Sequence, residues 1–323
     1  MLTPPIGHAD IRQELHGQWL AGRLHHAFLL TGPRGCGKAT LARYFCGQLL
    51  TYGTKAPEDP NAPISARVET QMHAGSHPDM VEVGLTRIRE EDEDARVIKI
   101  EHVRTHVARL FGHKGERNAM RACLIDPVEK MNISASNALL KMLEEPPENT
   151  IFFLISQQYG AVLPTIRSRC RRLQLQGLQP EEARQVVGTF MQEDEEVHPL
   201  LAQLQPGDAG RMTGQGGSLA LKLIGDVYAG REDPMDMSAD ATKYLKSLQE
   251  DKSLERVAVF FEVLILFLHH HMREAVAVSQ HELAGRLANM LEGLAKRQRD
   301  MSALNFDRRR VATLVLQEIR HDL

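Results

Sequence analysis

Apolar residues in the first half of the chain fall into short unbroken runs separated by amphipathic stretches. "HAFLL" (26–30), "DMVEV" (79–83), "RACLI" (121–125), "TIFFLIS" (150–156) and "RRLQL" (171–175) read as strands. Several are too continuously apolar to have a solvated face. Between them, "ATLARYFCGQLL" (39–50) sets Leu41, Phe45 and Leu49 at helical spacing, and "IEHVRTHVARLF" (100–111) puts Val103, Val107 and Leu110 on one face. "SASNALLKMLEEPP" (134–147) turns Leu139, Met142 and Leu143 toward a core, with Ser134 the expected N-cap and the paired prolines its stop. Residues 51–67 and the acidic "EEDED" (90–94) read as loops. Strands alternating with helices imply a parallel sheet covered by helices on both faces.

After about residue 176 the strand pattern disappears. "QPEEARQVVGTFM" (179–191) and "EVHPLLAQLQ" (196–205) predict two short helices, the second stopped by Pro206-Gly207. From "GQGGS" (214–218) onward the pattern is one of longer helices. "VAVFFEVLILFL" (257–268) is the buried one, ending in an exposed His269, His270 and His271. "FDRRRVATLVLQEIRHDL" (306–323) carries an apolar stripe of Val311, Leu314, Val315 and Ile319, with Arg308 to Arg310 facing partners or solvent. Three domains are expected: an α/β domain over 1–176, a small helical domain over 177–213 and an all-helical domain over 214–323.

Composition narrows this picture. With 323 residues, 42% hydrophobic and 25% charged, the chain is that of an ordinary globular protein, and its net charge of −3 provides no general field for nucleic acid. Cys36, Cys46, Cys123 and Cys170 form no C-x-x-C pair, which fits a reducing cytoplasm better than a disulfide framework. The N-terminal stretch lacks the layout of a leader, and the apolar run 257–268, interrupted by Glu262, is too short to span a membrane. A single Trp19 and few other aromatics give no platform for stacking bases.

The chemistry sits in the loops. "TGPRGCGKAT" (31–40) is a phosphate-binding loop between a strand and a helix, with Gly32, Gly35, Gly37 and Lys38 supplying the parts that cradle phosphates. The residue after the lysine is Ala39, where a Ser or Thr hydroxyl would hold Mg²⁺. Thr40, rotated by about 100° on the helix, is not placed to replace it. Asp126 ends the "RACLI" strand where a second metal partner belongs, with a turn Asp before Pro127 the lesser alternative. "LPTIRSRCRRLQL" (163–175) carries Arg167, Arg169, Arg171 and Arg172, the last two expected to form a solvated basic surface.

Together, "LHHAFLLTGPRGCGK", "SNALLKMLEEPPENTIFFLIS" and "LPTIRSRC" resemble the clamp-loader subunits of bacterial DNA polymerase III, of the AAA+ class. The resemblance is strong over 24–176 and beyond that rests on layout. It implies a P-loop (AAA+) α/β domain with a parallel sheet, a helical lid and an all-α collar domain. Arg169 would be an arginine finger serving the ATP site of a neighbouring subunit. Gly32, Gly35, Gly37, Lys38 and Asp126 would be a relic nucleotide site, and Ser156 or Gln157 would stand at the position that reads the γ-phosphate. Hydrolysing relatives carry Glu after the strand-end Asp; here it is Pro127, with Glu129 two residues further on. Losing both the hydroxyl and that carboxylate implies ATP binding that is weak or non-productive, no required cofactor and little or no hydrolysis. The implied partners are the gamma/tau and delta subunits in a five-subunit ring, with the sliding clamp and primed DNA reached through the complex.

Many members of that family bind zinc through four cysteines just ahead of a Gly-[Ser/Thr]-His-Pro-Asp stretch. Here "GSHPD" (75–79) is present, but "APISARVETQMHA" before it has no cysteine, so a metal-free insert is expected. The well-kept glycine loop leaves open an active ATPase subunit of the same machine. A stand-alone AAA+ helper of nucleic acids is the further alternative.

Overall fold

The computed structural model describes residues 2–84, 88, 97–103, 105, 119–189, 200–201, 204–251, 255–303 and 307–322. The expected acidic loop 90–94 and most of the helix expected over 100–111 lie outside the described residues. The chain divides into two compact units, 1–183 and 184–323.

The first unit is built on a parallel five-stranded sheet: β1 (Ala27–Thr31), β2 (Met80–Gly84), β3 (Arg121–Asp126), β4 (Thr150–Ser156) and β5 (Arg171–Gln174). Their order across the sheet is β2-β3-β4-β1-β5. In β1 and β4 every residue is buried, as a strand must be when helices cover both faces of its sheet. Alternation along each strand sorts the core into two clusters. Phe28, Leu30, Leu124, Phe153 and Ile155 face α1 (Ala9–Leu20), α2 (Lys38–Tyr52) and α3 (Ala66–His73). Leu29, Ile125, Phe152 and Leu154 face α4 (Ile133–Glu144) and the four-residue α5 (Pro164–Arg167).

Three local expectations change. The N-cap of α4 is Asn132, whose side chain accepts from the Ala135 N–H at 2.8 Å; Ser134 lies inside the first turn. Residues 66–73, in the cysteine-free insert, form α3, with Val68 and Met72 buried against the sheet. Helix α1, which was not among the expected elements, buries Ile11, Leu15 and Trp19, the indole edge-on to Phe45 at 5.6 Å between centroids.

The second unit holds α7 (Pro206–Gly214), α8 (Gly217–Tyr228), α9 (Ala239–Glu250), α10 (Glu255–Ala277), α11 (His281–Ala303) and α12 (Arg308–Asp322); α6 (Pro180–Gly188) straddles the boundary. The helix expected over 196–205 lies largely outside the described residues; Pro206 begins α7, because Pro suits the first helical position, where its missing N–H has no partner to lose. The apolar run lies in α10, with Val259, Phe260, Val263, Leu264 and Leu268 fully or almost fully buried. Glu262 is tolerated there by an ion pair with Arg211. The three histidines do not end that helix, which runs on to Ala277; His271 stacks on Tyr228 at 4.8 Å. In α12, Ala312, Val315, Leu316 and Ile319 are the buried set, while Leu314 is exposed. Among the described residues no helix is long and apolar enough to cross a membrane.

Phe153 is the centre of one sheet face, stacked on Phe28 at 5.6 Å and edge-on to Phe45 at 6.0 Å. Phe153→Ala is expected to destabilise the first unit by about 3–5 kcal/mol, read from urea unfolding. A loss below about 1 kcal/mol would show that this aromatic cluster does not hold the sheet to α2.

Candidate functional site

Parallel strands deliver their carboxyl ends to one edge, and ligands of open α/β sheets bind outside that edge. Here Thr31 pairs with Ser156 and Gln174, and Gly84 with Asp126, so the loops after β1, β3, β4 and β5 meet there. Gly32 leaves β1 so close to the end of β5 that a Cβ on it would lie 2.4 Å from the Leu175 carbonyl oxygen. Gly35 and Gly37 have positive φ of 76° and 94°, and Gly37 caps α2 in a conformation that side chains resist. The loop therefore brings a helix N-terminus to the strand edge, the setting in which backbone N–H groups collect an anion.

Lys38 is buried, and its ammonium donates to the Gly32 and Pro33 carbonyls at 2.8 and 2.5 Å. An arriving phosphate would have to draw it off the loop's own backbone. Ala39 leans on the apolar core and Thr40 is exposed, so the helix start offers no hydroxyl on its inner side.

Across the site, burial pushes the Asp126 carboxyl up to about 6, against the lowering pull of Arg43 and Lys38; Glu82 and Glu129 add to the rise. Arg43 on α2 is bound in turn to Glu82 on β2, with Nε 3.1 Å from Oε1. Lys38, Arg43, Glu82, Asp126 and Glu129 thus form a small group of charges that influence one another. Glu129 follows Pro127 in a short turn, and its Oε1 accepts from the Gln157 backbone N–H at 3.0 Å. Its Oε2 is buried with no hydrogen-bond partner. This carboxylate ties the β3 turn to the end of β4.

Of the two residues expected at the γ-phosphate position, Ser156 is wholly buried. Its hydroxyl donates to the Gln158 carbonyl at 3.0 Å and accepts from the Gln158 N–H at 3.1 Å. Gln157 is the exposed one.

Arg169 lies just beyond α5, away from the glycine loop's lysine contacts. Its Nη1 donates to the Thr165 carbonyl at 2.9 Å, and its Nη2 lies 2.6 Å from Glu144 Oε1 at the end of α4. The guanidinium side chain remains 36% exposed, so it is held in place without being covered. Arg171 pairs with Glu14 at 2.6 Å. Arg172 and Arg167 both lie over the Tyr159 ring, at 4.1 and 4.7 Å, and Arg172 Nε donates to Thr31 Oγ1 at 3.2 Å. The expected solvated basic surface is exposed, but each of its arginines has a built partner. Glu144, Tyr159 and His8 are the residues that the sequence reading missed; His8 places its Nε2 2.7 Å from the Cys36 carbonyl of the glycine loop. Among the described residues, no three His, Cys, Asp or Glu side chains group closely enough to hold a metal ion.

A family model described as "DNA polymerase III, delta subunit" matches residues 7–179. A DNA polymerase III subunit delta' from Pseudomonas aeruginosa is 37% identical over 166 residues, covering 50% of this chain and 48% of that one. The subunit tau of Escherichia coli is 28% identical over 324 residues, covering 96% of this chain and 47% of that one. The chain thus spans about half the length of these relatives. A solved gamma subunit-related protein of Thermotoga maritima covers 97% of both chains at 17% identity and a TM-score of 0.46.

The buried Asp126 sets a pH dependence. It holds its proton more tightly when folded, at about 6, than at its ordinary 3.8. Its contribution to stability is fully present below about pH 4 and is lost as pH rises through about 6, a swing of about 3 kcal/mol at most. Asp126→Asn is expected to flatten the fall of the urea midpoint across that window. An unchanged slope would mean that the carboxyl titrates near its ordinary value.

Proposed function

This chain belongs to the DNA polymerase III delta-subunit family, and from that premise we propose that it is a delta-prime-type structural subunit of a replicative clamp loader. In this reading it hydrolyses little or no ATP itself and lends Arg169 to the ATP site of a neighbouring subunit. Its partners are gamma/tau and delta subunits in a five-subunit assembly, which opens a sliding clamp and places it on primed DNA in the cytoplasm.

One observation carries the reading: the site has kept its phosphate cradle and lost its two hydrolytic groups. Ala39 offers no hydroxyl to a metal, and Pro127 stands where a carboxylate would orient water. Glu129 is the nearest replacement, but one of its oxygens is committed to the Gln157 N–H. Each missing electrostatic contributor is worth roughly 10²–10³ in rate, so their joint loss leaves little turnover. Arg169, in contrast, is exposed and braced at two points. A braced guanidinium suits a finger that acts on a neighbour's γ-phosphate, since its ordering is completed before the neighbour arrives.

The presence of Gly37, Lys38 and Asp126 at the ends of β1 and β3 favours a second reading, an active motor subunit of the same machine. Steady-state phosphate release by the purified chain separates the two. The expected result is no turnover above that of Lys38→Ala; turnover that Lys38→Ala abolishes would establish the motor reading. In the assembled complex, Arg169→Ala is expected to slow hydrolysis at the adjoining site by roughly 10³-fold or more and to reduce clamp loading, with the chain still folded. Undiminished single-turnover hydrolysis at every site of that complex would remove the finger role.

A further inference from the structure

Glu144, the brace of Arg169, stands at the C-terminal end of α4, and the chain there cannot complete its own hydrogen bonds. In an α-helix each carbonyl accepts from the N–H four residues further on. For Met142 and Leu143 those residues are Pro146 and Pro147, which have no N–H to give. The Glu145 N–H closes the helix on the Lys141 carbonyl at 3.1 Å. Leu143 is almost fully buried, and a carbonyl left without a donor in such a place is costly.

The donor comes from a distant part of the chain. His26, just ahead of β1, places its Nε2 3.0 Å from the Leu143 carbonyl oxygen. A carbonyl only accepts, so Nε2 carries the proton of the ring. Burial, reinforced by the neighbouring His25, disfavours a second proton on His26, against a raising pull from the Leu143 carbonyl. The ring is therefore a neutral donor near pH 7. It stacks on His25 at 4.4 Å between centroids, and the His26 carbonyl accepts from the Phe152 N–H of β4 at 2.8 Å. His25 does not share the task, because its Nδ1 is turned onto Ala27, 2.8 Å from the carbonyl oxygen and 3.1 Å from the backbone nitrogen.

A continuous path of contacts results. The sheet holds His26, His26 holds the Leu143 carbonyl, and the next residue, Glu144, places Oε1 2.6 Å from Arg169 Nη2. Leu143 and Ile166 of α5 are buried in one core cluster, so α4 and the segment that carries Arg169 share their packing. Close-packed interiors transmit small shifts, and a loosened end of α4 would move the Glu144 carboxylate relative to the guanidinium.

We propose that His26 is a positioning residue for Arg169: it supplies the donor that Pro147 lacks, fixes the last turn of α4, and so sets the Glu144 carboxylate where it restrains the guanidinium. The consequence for a neighbouring ATP site rests on the finger reading above; the ordering of Arg169 within this chain does not.

NMR of the full chain tests the ordering directly, through the heteronuclear NOE of the Arg169 Nε–H, a signal identified by its loss in Arg169→Lys. His26→Phe keeps a ring against His25 and removes the donor. It is expected to bring the Arg169 signal to that of a freely moving surface side chain, as is Glu144→Ala. His26→Gln, whose amide N–H reaches about as far as Nε2, is expected to restore most of the restraint. Should His26→Phe not fold, His26→Asn, whose amide is too short to reach Leu143, takes its place in the comparison. In the assembled complex, His26→Phe is expected to slow single-turnover hydrolysis at the adjoining site about tenfold, the effect of freeing one long side chain, and to add nothing to Arg169→Ala. An Arg169 signal unmoved by loss of the His26 donor would overturn the proposal. A loss of order that His26→Gln leaves unrestored would overturn it equally, since the bulk of the ring and not its N–H would then be what matters. If Arg169→Ala leaves hydrolysis unchanged, the finger reading fails, while the NMR comparison still decides the role of His26.

Discussion

The first unit depends on one constraint: β1 lies inside a parallel sheet with every side chain buried. Such a strand needs helices on both faces, and its neighbours β4 and β5 must run the same way, so all the following loops emerge at one edge. The glycine loop is then forced out between α2 and the end of β5. The approach of Gly32 to the Leu175 carbonyl is the price of fitting it there. Shape alone therefore preserves the phosphate cradle. Gly32, Gly35 and Gly37 answer backbone demands that hold whether or not nucleotide is turned over, so the glycines alone are weak evidence for catalysis.

Charge is a more discriminating guide. Lys38 and Asp126 lie in partly dehydrated surroundings, where an unpaired charge is expensive. Lys38 answers this by bonding to two carbonyls of its own loop, and Asp126 by holding its proton more tightly. The first response stabilises an unliganded site at any pH, whereas the second is lost as pH rises through about 6 and Asp126 ionises. A hydrolytic centre needs Asp126 ionised to hold a cation, yet burial works against ionisation, and no hydroxyl at position 39 shares the load. The glycine loop has the backbone geometry of an anion site, and Ala39 gives it no hydroxyl for a metal.

How much of this was legible in the sequence follows from the range of each interaction. The strand "TIFFLIS" can be read directly because a doubly covered strand is an unbroken apolar run, and β4 spans those same residues. Helix α1 was legible too, because Ile11, Leu15 and Trp19 are spaced like Leu41, Phe45 and Leu49 of α2, but it was not among the expected elements. Pro206-Gly207 also begins α7, a role the reading as a stop did not include, since Pro can take the first position of a helix. The His269–His271 run misled as an end because α10 continues past it under cover of Tyr228. In the site, the glycines and Lys38 are local and could be read. Glu144, Tyr159 and Glu129 act through partners distant in the chain, and no local pattern announces which arginine or backbone N–H each will meet.

The pairing of Arg169 with Glu144 is informative because it does little for stability. Both side chains are more than a third exposed, and ion pairs in that setting contribute between nothing and about 1 kcal/mol. What the pair does accomplish is to restrict a long, rotamer-rich side chain to one pose, with the Thr165 carbonyl as a second anchor. Such a restraint has no evident use within this chain. It is useful if a second molecule must find the guanidinium already in place, because the entropy of ordering it is then not charged against the encounter. The carboxylate also screens the arginine while no partner is present, and a phosphate, carrying more negative charge, can take over the remaining N–H donors without dismantling the anchor. In the proposed reading, a surface ion pair that is nearly neutral for folding and costly for side-chain freedom prepares Arg169 for a neighbouring subunit.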